Sequence, residues 1–469
     1  MEATAHFINL YDHLNLNCKP RNDYQKERKF KMASQYPILA QAQIVIAGAG
    51  PAGCVAAIAA ARQGADVILI EESISCGGSG TNGLVPVVIH LGNSKNLTSS
   101  GIGFEIIEAT CKKMKVKKIN HTWQHIDAEK LKRVYDDKLR EAGVTVLFSS
   151  KVAAVNRQNN RIKSLVVAGL NGLKTVRGDM FIDTTGDGLV SALAGVPFEY
   201  GDEYGKVMSP TLCVQYSNIN FKKFLAAEKN GENARVIWHR LLKECKTPIN
   251  DHHFTGISQY GNATASGNVG HIYGTDSLNE FSVSQACIEG RKIAELIHSF
   301  YVSNVPGCDK SDLVSTASKL GIRESRRIMG DYVLNYEDYL ARRHFDDDIG
   351  CFHYPIDIHA SNTDPEEQLK ALEDLEMSWY KPGESYGIPY RVLTPKGIKN
   401  LLVAGRCISA DRAIMSSIRV QPGCMITGQA GGIAAVIALN NKYDVRKVDI
   451  VELKNKLIEI GAFIPCLKK

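Results

Sequence analysis

The run Ile44-Val-Ile-Ala-Gly48-Ala-Gly50-Pro-Ala-Gly53 leaves this chain few folds to choose from. Its apolar start predicts a short buried strand, and the small-residue stretch from Ala52 to Arg62 predicts a helix packed closely on it. Between them lies Gly-x-Gly-x-x-Gly. Gly48 permits a tight turn, Gly50 lets the backbone approach a pyrophosphate, and Gly53 lets the helix lie against the strand. Asp66–Ile70 predicts a second strand, ending on Glu71, 18 residues after Gly53. A carboxylate there can accept from a ribose hydroxyl. The free N–H groups and positive end of the helix supply an anion site. A glycine-rich turn alone could be structural, but the two strands and the acid make a dinucleotide site the expectation.

Composition sets the class. At the usual ~100–200 residues per domain, 469 residues make two or three domains. A hydrophobic share of 44% and a charged share of 23% suit a globular core. The net charge of +6 is too small to point to nucleic acid. It is partly local: six basic residues lie between Lys19 and Lys31 and five lysines between Lys112 and Lys118. Such clusters read as solvated faces, or else as a funnel for acidic substrates. The twelve cysteines form no C-x-x-C pair. That argues against an iron–sulfur cluster, a zinc ribbon or a redox dithiol, and no metal site is expected. No apolar run approaches the ~18–20 residues of a membrane span, and the N-terminus with His6, Asp12 and His13 has no secretory leader. These features lead us to expect a cytoplasmic protein without membrane or nucleic-acid partners.

Residues 1–40 are polar, basic and unpatterned, and are expected to extend outside the fold. A second glycine-rich loop is Cys76-Gly77-Gly78-Ser79-Gly80-Thr81-Asn82-Gly83. A helix is predicted over 127–142 and strands over 144–148, 151–156 and 162–168, with a hairpin loop at Arg157–Arg161. A buried strand is predicted over 180–183. The chain then changes character, and its best-defined helix is predicted over 281–302, with Ser282 and Gln285 as a capping box. Nucleotide-binding texture returns at Asn400-Leu-Leu-Val-Ala-Gly405-Arg406 and in the glycine- and alanine-rich helix 422–439. The expected fold class is α/β. A Rossmann-like domain, three-layered around a mostly parallel sheet, would occupy 41–195 and 387–445. An inserted α+β substrate or cap domain would occupy 196–386, and a C-terminal helix or tail 446–469.

The turn at 48–53, the loop at 76–83 and the turn at 405–424 together resemble the cofactor site of flavoproteins of the glutathione-reductase structural class. Further carriers are Asp183-Thr-Thr-Gly-Asp-Gly188, Gly321-Ile-Arg-Glu-Ser-Arg-Arg-Ile328, Tyr354-Pro-Ile-Asp-Ile-His359, Ile388-Pro-Tyr-Arg391 and Ser417-Ile-Arg-Val420. Over about residues 41–439 the chain is similar to the FAD-dependent oxidoreductase family, near the fumarate reductase and succinate dehydrogenase flavoprotein branch. The resemblance implies FAD. Gly48, Gly50, Pro51, Ala52 and Gly53 would lie under its pyrophosphate, with Glu71, next to Glu72, on the adenosine ribose. Gly77, Gly78, Ser79 and Thr81 would line the ribityl and isoalloxazine side. Val152 would pair its backbone with adenine, Gly186 and Asp187 would close the adenine end, and Gly405 and Arg406 the flavin end. The helix with Gly423 in its first turn would aim its N-terminus at the flavin pyrimidine edge, where reduced flavin carries negative charge, or would simply pack on the sheet.

No second Gly-x-Gly-x-x-Gly follows a strand, so a dedicated NAD(P)H domain is not expected. The resemblance also places Arg419 where relatives clamp a substrate carboxylate, a task that suits a bidentate guanidinium. Arg323, Arg326 and Arg327 are further candidates for anion contacts, or for ion pairs with Glu324 and Asp331. His353, His359, His271 and Tyr390 are candidate proton donors or structural hydrogen-bonding groups. Cys76 could approach the flavin or be a packed thiol. Relatives commonly have His-Gly before Ser-x-Arg, where this chain has Met415 and Ser416. A thioether cannot donate a proton, so that role is lost or supplied from elsewhere. The expected function is hydride transfer between flavin N5 and a small-molecule substrate, with an anionic one favoured by the arginines. The alternatives are a flavin oxidase or monooxygenase using oxygen, and an FAD-holding electron-transfer protein without its own substrate.

Overall fold

Strand β1 (Ile38–Ala47) runs into α1 (Pro51–Arg62), and β2 (Val67–Ile70) returns parallel to β1, pairing Ile44 with Val67 and Ala47 with Ile70. The structure, a computed structural model, describes residues 36–254 and 256–465. Most of the extension expected over 1–40 lies outside the described residues; its last part, from Ile38, is the start of β1.

Around β1 stands a seven-stranded sheet in the order β3 (Thr145–Leu147), β2, β1, β6 (Gly172–Asp183), β5 (Arg161–Gly169), β4 (Lys151–Gln158). The seventh strand, β7 (Leu401–Val403), pairs with β6. Four of the pairings are parallel and two antiparallel. The sheet is α/β and rich in parallel strands, as expected. Strand β6 is far longer than its predicted stretch at 180–183. Its first part, with Lys174, Arg177 and Asp179, lacks an apolar signature because it pairs with the outer hairpin through Ser164–Arg177. Its buried end, Phe181–Asp183, exchanges that partner for β7.

From Tyr36 onward the chain is one compact unit with two principal cores. The larger surrounds the seven-stranded sheet and also takes in Ile328, Phe352, Tyr354 and Tyr386. The second draws mainly on residues 212–320, with Leu84 and Ala128. It packs α2 (Glu280–Asn304) near a four-stranded antiparallel sheet that includes Val214–Ser217 and Asp312–Thr316. Helix α2 starts one residue before its predicted start, and the expected capping box is corrected. Asn279 is the cap, accepting from the Ser282 N–H at 3.0 Å, while the Ser282 hydroxyl accepts from Asp276 N–H.

Helix α3 (Gln421–Asn440) packs on α1 backbone to backbone. A β-carbon at Gly428 would sit 2.3 Å from the Ala52 carbonyl oxygen, and one at Gly432 equally close to that of Ala56. By length and composition α3 could cross a membrane, with a mean hydropathy of 1.4, which corrects the expectation that no run reached that length. However, 89% of that window is buried inside the protein, where its glycines and alanines admit α1.

We expect Gly432→Ala to cost about 1–3 kcal/mol of stability through overpacking, read as a lower urea or thermal midpoint. An unchanged midpoint would contradict the close α1–α3 contact.

Candidate functional site

The end of β1, the start of α1 and the loop after β2 are fastened together. The Gly48 N–H donates to Ile70 O at 2.8 Å, and the Gly77 N–H donates to Ala49 O at 2.8 Å. Gly48 and Gly77 both have left-handed φ values, +98° and +100°, so each needs glycine. A β-carbon on Gly78 would lie 3.0 Å from Gly50 Cα, which puts the two glycine-rich turns in contact. The third turn joins them at Ala52. Ala52, Ala404 and Cys424 form a small buried cluster of their own, and a β-carbon on Gly405 would meet Ala52 Cβ at 3.0 Å. The Gly405 N–H is held by Thr427 Oγ1 at 3.0 Å. Three turns far apart in sequence therefore close on one place.

Gly53 is explained by the protein alone, since its β-carbon would overlap the Gly48 carbonyl oxygen at 1.9 Å. Gly50 is not. Its φ is −70°, open to any residue, and no heavy atom lies within 4 Å of a β-carbon built there. The α1 N-terminus carries no side-chain cap, and neither does that of α3. Gln421, in the first turn of α3, has a buried Oε1 without a partner, which a β-carbon on Gly80 would meet at 2.5 Å. An open glycine at an uncapped helix start, with unspent polar atoms beside it, fits a dinucleotide with an anionic bridge.

The other predicted cofactor residues fall as follows. Glu71 is buried and spends its carboxylate locally, accepting from Ala49 N–H at 2.7 Å and from the Ser73 N–H and hydroxyl. Glu72 faces outward and pairs with Lys319 at 2.8 Å and Lys151 at 3.4 Å. Ser79 is exposed, Thr81 hydrogen-bonds the Cys76 carbonyl, and Cys76 is a fully buried thiol beside Cys54. Val152 lies on β4, paired with Val167. Arg406 ties the Gly186 carbonyl and the Asp187 carboxylate to the third turn, and also donates to Ile322 O. A β-carbon on Gly423 would strike the Ile418 carbonyl, so that glycine serves the tight entry into α3.

Two residues before Gln421 stands Arg419, whose guanidinium donates to the Asp357 carbonyl and carboxylate, each at 3.1 Å. Its Nε is buried without a partner. Arg323, also buried, donates to Ser209 O and faces the same group of charges. Burial and the neighbouring charge of Arg419 draw its pKa down to about 10, against the pull of Asp357. Asp357 is held well below the usual carboxylate range: burial acts the other way, but His359 and Arg419 override it. The three arginines of the 323–327 stretch diverge. Arg327 pairs with Glu324 at 2.8 Å and Arg326 donates to the Asp187 carbonyl.

His359 touches Asp357 at 3.4 Å and His271 at 2.7 Å, and His271 touches Asp251 at 2.9 Å. His353 instead faces His90, ring nitrogens 3.2 Å apart, with Thr98 on its other side. Burial lowers His90 to about 4; burial and the neighbouring His90 lower His353 to about 3. Both are neutral near pH 7. Tyr390 is buried and gives its hydroxyl hydrogen to Val445 O at 2.8 Å. Met415 packs into the main core, while Ser416 Oγ accepts from the Asp357 N–H.

Sequence reading missed Thr184, whose hydroxyl binds the Ala47 and Gly48 carbonyls, and Thr427, Gln421, Asp251 and His253. Gln421 had a signal in its place just before Pro422. His253 and Asp251 sit in no motif.

The sequence profile of the FAD dependent oxidoreductase family matches residues 43–457. The chain belongs to that family: it is an oxidoreductase enzyme, and its cofactor is FAD. No curated protein matches it significantly. Among solved structures it is similar to a geranylgeranyl bacteriochlorophyll reductase-like protein from Thermoplasma acidophilum, 12% identical over 90% of this chain and 84% of that one, with a TM-score of 0.41. It is likewise similar to L-proline dehydrogenase from P. horikoshii, 13% identical over 91% and 100%, TM-score 0.41. A third is p-nitrophenol 4-monooxygenase from Pseudomonas putida DLL-E4, 11% identical over 90% and 83%, TM-score 0.42.

Gly50→Ala should fold as the wild type does yet bind FAD about 1–3 kcal/mol more weakly, roughly 5- to 150-fold. Melting curves of the apoprotein and FAD titration read the two effects apart; equal FAD affinity would contradict the open-glycine account. A second expectation concerns pH. Because folded His90 and His353 titrate below the ordinary 6.5, the unfolded chain takes up protons first as pH falls. Their contribution to stability is intact above about pH 7 and is lost from about 6.5 down toward their folded values. The melting temperature should drop over that window, and less steeply in His353→Gln; equal slopes would contradict it.

Proposed function

We propose that this enzyme moves a hydride between its flavin and a small organic anion gripped by Arg419. FAD supplies the two-electron chemistry. Support for the anion comes from the buried, unpartnered Nε of Arg419, which leaves part of a donor fork unspent beside the third cofactor turn. Planar bidentate recognition of a carboxylate is what such a fork does best. Arg419 lies two residues from Gln421, and Gln421 borders the Gly80 loop. A substrate on Arg419 is thereby kept near the cradle, and proximity of this kind is the protein's main contribution to a transfer step. Arg323 adds positive charge to the same group, and Asp357 fixes the Arg419 fork on one edge. The Ser417-Ile-Arg419 stretch supports kinship with the fumarate reductase and succinate dehydrogenase branch. Met415, in place of the histidine of those relatives, favours a different substrate from theirs.

Anaerobic mixing of the holoenzyme with a panel of small carboxylic acids and matched neutral analogues tests this reading. One acid class should bleach the flavin while its neutral analogues do not. Arg419→Ala should keep its FAD and lose about 1.5–3 kcal/mol in kcat/KM, roughly 10- to 150-fold. Neutral and acidic compounds reacting alike, or full activity in Arg419→Ala, would contradict an anion clamp at Arg419.

A further inference from the structure

We propose that His253, His271 and His359 form a binding site for a divalent transition metal of the zinc class. One ring nitrogen from each lies within 4.8 Å of those of the other two. Together with Tyr273, Ala360, Gln368 and Ala371 they line a cavity of about 10 Å³, room for a single ion or water.

The hydrogen bonding points to a cation at this spot. His271 turns Nδ1 to the Asp251 carboxylate at 2.9 Å, and His359 turns Nε2 to Asp357 at 3.4 Å. Asp251 is locked in place by the N–H groups of His253 and His271. If each imidazole spends its N–H on its carboxylate, the remaining nitrogens, His271 Nε2 and His359 Nδ1, present lone pairs to each other at 2.7 Å. A neutral pair holds that distance with the N–H of one ring donating to the other, whereas with both N–H groups turned to the carboxylates a cation takes that place. Imidazoles whose far nitrogens are held by carboxylates are the usual dress of metal ligands. His253 stacks on His359 with the rings 4.7 Å apart and 10° from parallel, and one of its ring nitrogens falls in the same 4.8 Å group, which makes it the third candidate donor. Replacing a shared proton by zinc would open the His271–His359 pair to roughly 3.3 Å, the edge of a tetrahedral site. Arg323 opposes a dication here, and the carboxylates of Asp251 and Asp357 offset it. The donor set is nitrogen-rich with no thiolate, which suits zinc or cobalt rather than calcium or magnesium. Its three ligands lie outside the glycine turns; it shares Asp357 with Arg419, and its metal uptake is read without substrate.

The test uses the full-length holoprotein, treated with a chelator, desalted and titrated with zinc chloride, with bound metal measured by elemental analysis. We expect one equivalent per chain. Cobalt(II) should give the strong d–d bands of a four-coordinate site, beyond the flavin absorbance. Asp251→Asn should weaken binding roughly 10- to 100-fold, and the His271→Gln/His359→Gln double variant should lose it. FAD content and melting temperature report whether each variant is folded. Wild-type protein that takes up no zinc overturns the proposal and leaves a shared proton as the bridging charge. Stoichiometric binding that survives in the folded double variant overturns it too, because the metal is then held elsewhere. Binding unchanged in His253→Ala would overturn the three-ligand assignment.

Discussion

The contact on which this structure depends is the close passage of α1 against α3, backbone on backbone, through Gly428 and Gly432. No side chain bulkier than hydrogen fits at those two places, so the sequence must supply glycine where the helices cross. That contact carries the start of α3 to Ala52 and Gly405, in the first and third glycine turns. The middle loop is then fastened to the first turn by the backbone hydrogen bond from Gly77 to Ala49. The three glycine turns and the hydrophobic core are the same construction.

A polar layer lies beyond the cradle. Arg419, Asp357, Arg323 and the histidines form a buried network of opposite charges, which only mutual pairing makes tolerable in a low-dielectric interior. Two arginines balance two aspartates there, so any added anion or cation changes the net charge of the cluster. Arg323, Asp357 and Asp251 are shifted by their neighbours as well as by burial, the pattern expected of a candidate functional site.

Much of the cradle was legible because its chemistry is local. The strand, turn, helix and acid from Ile44 to Glu71 lie within one short stretch, and each glycine has a fixed task there. The α3 helix was legible from Pro422 and its glycines. What could not be read was pairing between distant segments. Strand β6 hid its length behind Lys174, Arg177 and Asp179, because an outer hairpin half exposes it. The cap of α2 lies three residues before the expected one because Asn279 and Ser282 both suit the role, and here the Ser282 hydroxyl is taken by the Asp276 N–H. The histidine cluster was invisible as a unit, since residues 253, 271 and 359 meet only through packing of the middle region.

The most direct check on the central claim is calorimetric titration of the apoprotein with FAD. Turns around Gly50, Gly78 and Gly405 that build one cradle predict saturable binding at one FAD per chain. Apoprotein that is folded by its melting curve and takes up no FAD would contradict the account.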